Sequence, residues 1–325
     1  MMTDPDFVEQ DRLERALKRH PGYRGRTMPA CLLPALARTS AFAPRSRNLN
    51  RTAGSTRLYE IPNVNVVKVT GPELGIQHRM LLTALLRHHV NIIDLAGRSM
   101  IAVVSVTWRD LLKSMNKGAH PNNIDTYFNA LRDLDTAQIS VWRGSWTQYQ
   151  AQLWGYETDK NADFSAPLIT SARCTGLTPN DEIRVHFGPD AARDFKEGNL
   201  VSVDADVFFR LRSDYAKSLW PVIDGHKKFF FLHESTIASY VGLDLRRTGW
   251  REWQTFRRST KRAFEAMKAA GGLEDWYVEE GKQGRIGKRE QHKYVFTRPL
   301  SPGSTPLRGV APEGRHEGAA LAPPA

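Results

Sequence analysis

The chain has 325 residues, 41% of them hydrophobic, enough apolar side chain for two modest cores and so for two domains. Its 46 Lys and Arg outnumber its 35 Asp and Glu for a net charge of +11, while only two cysteines, Cys31 and Cys174, occur, which excludes a disulfide framework and a cysteine-built zinc site. No apolar run approaches the roughly 18 residues of a membrane span and the N-terminus is too charged for a secretory signal, so a cytoplasmic protein with no membrane partner is expected. The charge is localised: +6 over residues 1–57, −2 over 58–204, +7 over 205–298 and 0 over 299–325. A concentrated basic surface attracts a polyanion by counterion release, which makes nucleic acid the leading partner.

Residues 1–57 combine a short helix expected at 11–20 with Pro-, Gly- and Arg-containing sequence. They read as a basic, largely flexible arm that touches DNA, docks a partner or is a plain leader. A strand is expected over 58–69, then a helix over 71–89 whose Leu74, His78, Leu81, Leu82 and Leu85 recur at helical spacing and face a core. The adjacent His88 and His89 are read as surface residues at a helix end, without chemistry. A strand at 100–106 leads to Thr107, which with Asp110 resembles a capping box. The next helix, 122–134, puts Ile124, Phe128, Leu131 and Leu134 on one side and Asn122, Thr126 and Asn129 on the other. An aromatic, hairpin-like segment follows with Trp142, Trp146, Tyr149, Trp154 and Tyr156. Its rings suit packing better than stacking on unpaired bases.

A strand at 182–187 and a helix at 189–197 ended by Gly198 complete a first domain, 58–204, expected to serve as an interface and a secondary DNA contact. The second domain, 205–298, starts with a helix burying Phe208, Leu211, Tyr215, Leu219, Val222 and Ile223. A shorter apolar stretch at 231–243 and a long helix at 246–270 follow. At about 100° per residue, Trp253, Phe256, Thr260, Ala263, Phe264 and Met267 fall on one face of the long helix. Arg251, Gln254, Arg258, Lys261 and Arg262 fall opposite, and Arg246 and Arg247 precede them. Thr248 is the expected N-cap and Gly271-Gly272 the stop. A hairpin over 273–297 carries the loop GKQGRIGKR, 281–289, in which Lys282, Arg285, Lys288 and Arg289 suit a wing tip on phosphates. Residues 299–325, rich in Pro, Gly and Ala, read as a disordered tail. The order of elements repeats, so the expected fold is α+β: two tandem winged helix-turn-helix domains between a flexible arm and a disordered tail. In the first domain Asn122, Thr126 and Asn129 form a neutral counterpart of the basic face, able to hydrogen-bond base edges without a strong electrostatic grip.

Catalytic signals are weak. Asp204 and Asp206 are the right residue types for a metal-binding pair, yet no third carboxylate completes a site, and a turn before a helix accounts for them better. The glycine-rich loop fails the Walker spacing, with Lys282 where the first glycine belongs and Arg289 where Ser or Thr should hold magnesium. A binding protein without catalytic residues, metal or cofactor is expected.

Six segments resemble plasmid replication initiators of the TrfA type and related RepA proteins. They are LLPALARTSAF (32–42), VVKVTGPELGIQHRMLLTALLRHH (66–89), VTWRDLLKSM (106–115), NIDTYFNALRDLDTAQISV (123–141), RLRSDYAKSLWPVIDGHKKFFFLHESTIASYVGL (210–243) and WREWQTFRRSTKRAFEAMKAAGGLEDW (250–276). The resemblance implies a tandem winged-helix initiator that binds directly repeated sites, iterons, in double-stranded plasmid origin DNA. It further implies opening of an adjacent AT-rich stretch, recruitment of the host initiator, helicase and polymerase clamp, and exchange between dimer and monomer. Where many relatives carry a Gly-Ser-Asp-Ser-type turn, this chain has Arg246-Arg247 and Trp250, so the resemblance carries over the DNA role and not the identity of the bases recognised. A repressor using the same two modules is the competing expectation, and an enzyme relying on Asp204 and Asp206 is a third.

Overall fold

A computed structural model describes residues 29–42, 44, 54–61, 65–94, 100–155, 163–226, 229–245, 247–281, 285–286 and 289–299. The helix expected at 11–20, Tyr156, Arg246, Lys282, Lys288 and residues 300–325 lie outside that set. Within it the fold is α+β, with two winged-helix units in succession.

The described chain begins with strand β1 (Ala30–Leu32) and helix α1 (Pro34–Arg38), and here the expectation of a coreless arm is corrected. Ala30, Cys31, Leu32, Leu33, Leu36, Ala37, Ala41 and Phe42 are all buried. β1 pairs antiparallel with β9 (Val201–Val203), so this segment is stitched to the far end of the first unit. Arg79 fastens the other side: its guanidinium donates to the carbonyls of Ala37 at 3.1 Å and Thr39 at 2.7 Å and lies 5.0 Å from the Phe42 ring. Burial lowers its pKa to about 9, so it is charged at neutral pH and depends on those carbonyls as acceptors.

In the first unit, the single strand expected over 58–69 is a hairpin, β2 (Thr56–Ile61) and β3 (Asn65–Thr70), and β3 pairs onward with β6 (Gln138–Trp142). The domain boundary at 57/58 therefore falls inside β2. Helix α2 (Ile76–Leu85) buries His78, Leu81, Leu82 and Leu85 as their spacing requires, while Leu74 is buried just ahead of it, before the helix starts. After β4 (Val90–Asp94) and β5 (Met100–Thr107), helix α3 (Trp108–Ser114) starts on Thr107, whose Oγ1 accepts the Asp110 N–H at 3.2 Å. α4 (Pro121–Thr136) then packs beside α2.

The aromatic hairpin expected after α4 is instead helix α5 (Trp146–Leu153). A reciprocal Ser-x-x-Gln cap starts it: Ser145 Oγ accepts the Gln148 N–H at 3.2 Å, and the Gln148 side chain accepts the Ser145 N–H at 2.6 Å. The wing of the first unit comes later, as β7 (Ile169–Cys174) and β8 (Glu182–Phe187) in a sheet ordered β4-β5-β8-β7. Trp142 is 1% exposed and meets Tyr149 and Phe164 edge-on at 5.4 and 5.2 Å, so it is a packing residue.

Helix α6 (Pro189–Glu197) ends on Gly198 at φ +75, and β9 leads into the second unit. Its first helix is broken in two, α7 (Ala205–Arg210) and α8 (Asp214–Asp224), because Ser213 caps a new start by accepting the Ala216 N–H at 3.4 Å. Then come β10 (Phe229–His233), α9 (Glu234–Tyr240), α10 (Trp250–Ala269), β11 (Asp275–Glu279), the short pair β12 (Arg285–Ile286) and β13 (Arg289–Glu290), and β14 (Lys293–Thr297). The sheet order β10-β14-β11 places the last strand in the middle. Phe264 of α10 joins the helix to that sheet, with ring centroids 4.6 Å from Phe296 and 5.4 Å from both Trp276 and Tyr294. α10 stops as Gly271-Gly272 predicts: Gly271 takes φ +77, its N–H reaches Lys268 O at 2.9 Å, and the Gly272 N–H reaches Met267 O at 2.9 Å. A Cβ on Gly272 would overlap the Trp220 ring, so glycine is needed there on packing grounds as well. One continuous core runs through both units.

His226, just after α8, carries a testable pH dependence. Its ring stacks on Phe230 at 4.6 Å, and burial, with Arg38 and Arg298 nearby, pushes its pKa from 6.5 down to about 4. A base with a depressed folded pKa takes up protons more readily when unfolded. Its contribution is therefore full above the unfolded pKa of 6.5 and is lost as pH falls towards 4. Between pH 7 and pH 5 the expected loss is about 2 kcal/mol. Urea titrations at both pH values should show that share of the slope in the native chain and not in His226→Asn.

Candidate nucleic-acid interface

Helix α10 carries the face that sequence periodicity singles out. Trp253, Phe256, Thr260, Ala263, Phe264 and Met267 are its buried residues, the same six that the spacing places together. Arg251, Gln254, Arg258, Lys261 and Arg262 are all exposed on the other side, within an arc of roughly 100°. Glu265 is the one acid on the same arc. None of the four cations is ion-paired with a described residue, so the helix presents a row of uncommitted guanidinium and ammonium groups next to amide Gln254.

The start of α10 differs from expectation. Thr248 is buried and donates its hydroxyl to Asp244 O at 2.6 Å, so it is not the cap. Gly249 takes that place, its N–H accepted by the Glu252 carboxylate at 3.2 Å. Arg247 remains outward, with its side chain 90% exposed and its Nε 3.4 Å from Asp244. In the wing, Arg285 and Arg289 lie in β12 and β13, whose antiparallel backbone register sets Arg285 opposite Glu290 and Ile286 opposite Arg289.

Arg257 is the residue that sequence reading missed. It sits on α10 beside the basic arc, yet its side chain is only 17% exposed and forks onto Glu234, Nε to Oε1 at 2.6 Å and the second nitrogen to Oε2 at 2.9 Å. Burial lowers its pKa, but the Glu234 hydrogen bonds and charge outweigh that and hold it above the ordinary range. The partner stands 23 residues earlier. No local pattern could have announced it.

The corresponding face of the first unit is weaker. Asn122 and Asn129 on α4 are exposed, while Thr126 is half-buried and donates its hydroxyl to Asn122 O at 2.8 Å, so its own helix satisfies it. Asp133 lies on the same side and pairs with His78: the His78 Nδ1 accepts the Gly75 N–H at 2.8 Å, leaving Nε2 to meet the carboxylate at 3.2 Å. The buried side also departs from expectation, since Tyr127 is 3% exposed whereas Phe128 is half-buried under Arg132. The first wing is tied back onto α3, where Trp108 Nε1 donates to Gly176 O at 2.9 Å.

The two aspartates considered for metal binding have other partners. Asp204 caps α7 by accepting the Val207 N–H at 3.0 Å, and Asp206 pairs with Arg87 at 3.0 Å. Among the described residues no group of three or more His, Cys, Asp or Glu is placed to hold a metal ion, and no helix is long and apolar enough to cross a membrane.

No family model and no curated protein sequence matches this chain. Among solved structures it is similar to the Pi initiator protein in complex with iteron DNA, with 15% identity, a TM-score of 0.49, and coverage of 70% of this chain and 93% of that one. It is also similar to domains 2 and 3 of RctB in two structures. One gives 11% identity, a TM-score of 0.44 and coverage of 80% and 95%. The other gives 10%, 0.46, and 82% and 96%. Likeness at these values carries no functional weight. The charged arc of α10 and the wing beside it carry the functional reading.

Proposed function

We propose that this chain is a plasmid replication initiator that binds repeated sites in double-stranded origin DNA and uses no covalent chemistry of its own. The observation that carries the reading is α10, a 20-residue helix with a fully buried apolar stripe, an opposite row of unpaired cations and a basic two-stranded wing beside it. A B-DNA major groove is about 12 Å wide and accepts one such helix, while a wing reaches the flanking phosphates. Arg251, Gln254, Arg258, Lys261 and Arg262 would face base edges. Arg247, Arg285 and Arg289, with Arg246, Lys282 and Lys288, would face the backbone. α4, with Asn122 and Asn129 exposed, is the secondary contact.

The finer part of the proposal is supported by the sequence resemblance to TrfA-type initiators. Several copies on adjacent repeats would bend the origin, and the strain would favour melting at deformable AT-rich steps. Recruitment of the host initiator, helicase and polymerase clamp, and exchange between dimer and monomer, belong to the same reading.

The test is selection from a randomised duplex pool with the full chain, followed by footprinting on DNA flanking its gene. Direct repeats beside an AT-rich tract are the expected result. Protection of one inverted repeat in a promoter would mark a repressor instead, and failure to bind any duplex at low salt would remove the proposal altogether.

A further inference from the structure

We infer that Arg257 is a positioning residue: through Glu234 it fixes the angle between α10 and the wing, so that base contacts and phosphate contacts arrive in one rigid geometry. The inference rests on the duplex-binding reading of α10.

Three elements meet at this point. The Glu234 side chain, at the first position of α9, is 0% exposed and receives both arms of the Arg257 fork. The same carboxylate accepts the His292 N–H at 3.2 Å, and the Glu234 N–H reaches His292 O at 3.0 Å. Arg257 adds a further bond, from its terminal nitrogen to Glu290 O at 2.8 Å. Glu290 ends β13 and His292 precedes β14, so both lie where the wing returns to the sheet. The outgoing arm passes, two residues beyond the end of β11, through Gly281 in the left-handed region at φ +71. A wing whose return arm is bonded to the recognition helix turns with that helix.

The chemistry explains why arginine stands here. A carboxylate buried without a partner would be strongly unfavourable, and only a planar fork fills both of its oxygens while keeping a third donor for a backbone carbonyl. Lysine supplies the charge and lacks the fork. The side chain stands at the edge of the exposed arc, but it is only 17% exposed and its donors are taken by Glu234 and Glu290, so it is not available to the groove. Its effect on DNA binding is through preorganisation of the wing.

The test compares the full wild-type chain with Arg257→Lys, Glu234→Gln and the double variant R257Q/E234Q, which replaces the ion pair by two neutral amides and strands no charge. In the free protein, amide exchange over 290–293 should quicken by roughly tenfold in the double variant while exchange at the α10 core around Phe264 stays unchanged. On a duplex selected with the wild type, the double variant and Arg257→Lys should lose protection of the flanking phosphates. Their log–log salt slope should become shallower by about 1–2, with preference over random duplex kept within about threefold. A folded double variant with wild-type exchange, slope and footprint would overturn the inference, as would a loss of preference at unchanged slope, which would make Arg257 a reader of bases. If the wild type binds no duplex the DNA reading falls, and the exchange measurement still decides whether this joint holds the wing.

Discussion

Arg258→Ala is expected to lower the preference of the full chain for its selected duplex over random duplex by roughly 5- to 150-fold, the equivalent of about 1–3 kcal/mol for one bidentate base contact. Arg258 sits in the middle of the exposed arc of α10, with Gln254 and Arg262 one turn to either side, so a helix lying in the groove presents it to the floor. Arg289→Ala should behave differently. A wing contact with phosphate has no sequence content, so its loss should weaken binding to both duplexes alike and lower the log–log salt slope by about 1. Titrations of the two variants on both duplexes at several salt concentrations separate these behaviours. Identical profiles would mean that helix and wing do not divide the labour as drawn.

Phe264→Ala is expected to destabilise the second unit by about 3–5 kcal/mol, the range for deleting a fully buried phenyl ring. The ring is 0% exposed and is the point where α10 rests on Trp276, Tyr294 and Phe296, so the cavity would open at the junction of helix and sheet. Phe264→Leu refills most of that space and should cost about 1.5 kcal/mol or less. Denaturant titration gives both values. DNA affinity should fall in proportion to the folded fraction, with the salt slope of the folded fraction unchanged. A loss below about 1 kcal/mol for the alanine variant would show that the joint lies elsewhere.

How much of this was legible beforehand differs from residue to residue. Both faces of α10 could be read, because a face depends on spacing along one helix. The stop at Gly271-Gly272 and the cap of α3 at Thr107 could be read for the same reason. The start of α10 was misplaced by one residue: Thr248 is a good capping type, but the carbonyl of Asp244 takes its hydroxyl. The aromatic segment is a helix where a hairpin is expected, because the reciprocal Ser145-x-x-Gln148 cap starts α5. Asp204 and Asp206 look alike as a pair, and only their distinct partners, a helix N-terminus and Arg87, show that they do not act together.

The sequence by itself determined the units that obey a local period: the buried stripe and charged arc of α10, the core face of α2, the cap of α3 and the concentration of positive charge in the last third of the chain. Only tertiary structure decided that residues 30–42 belong to the core, that the first wing is β7 and β8, and that the Arg257 fork is taken up by Glu234 and the carbonyl of Glu290. The physical reason is range. A helix face is set by neighbours three and four residues away, whereas a strand partner, the carbonyls that accept from Arg79 or the carboxylate that receives Arg257 is brought from tens of residues off, and nothing at the position itself names it.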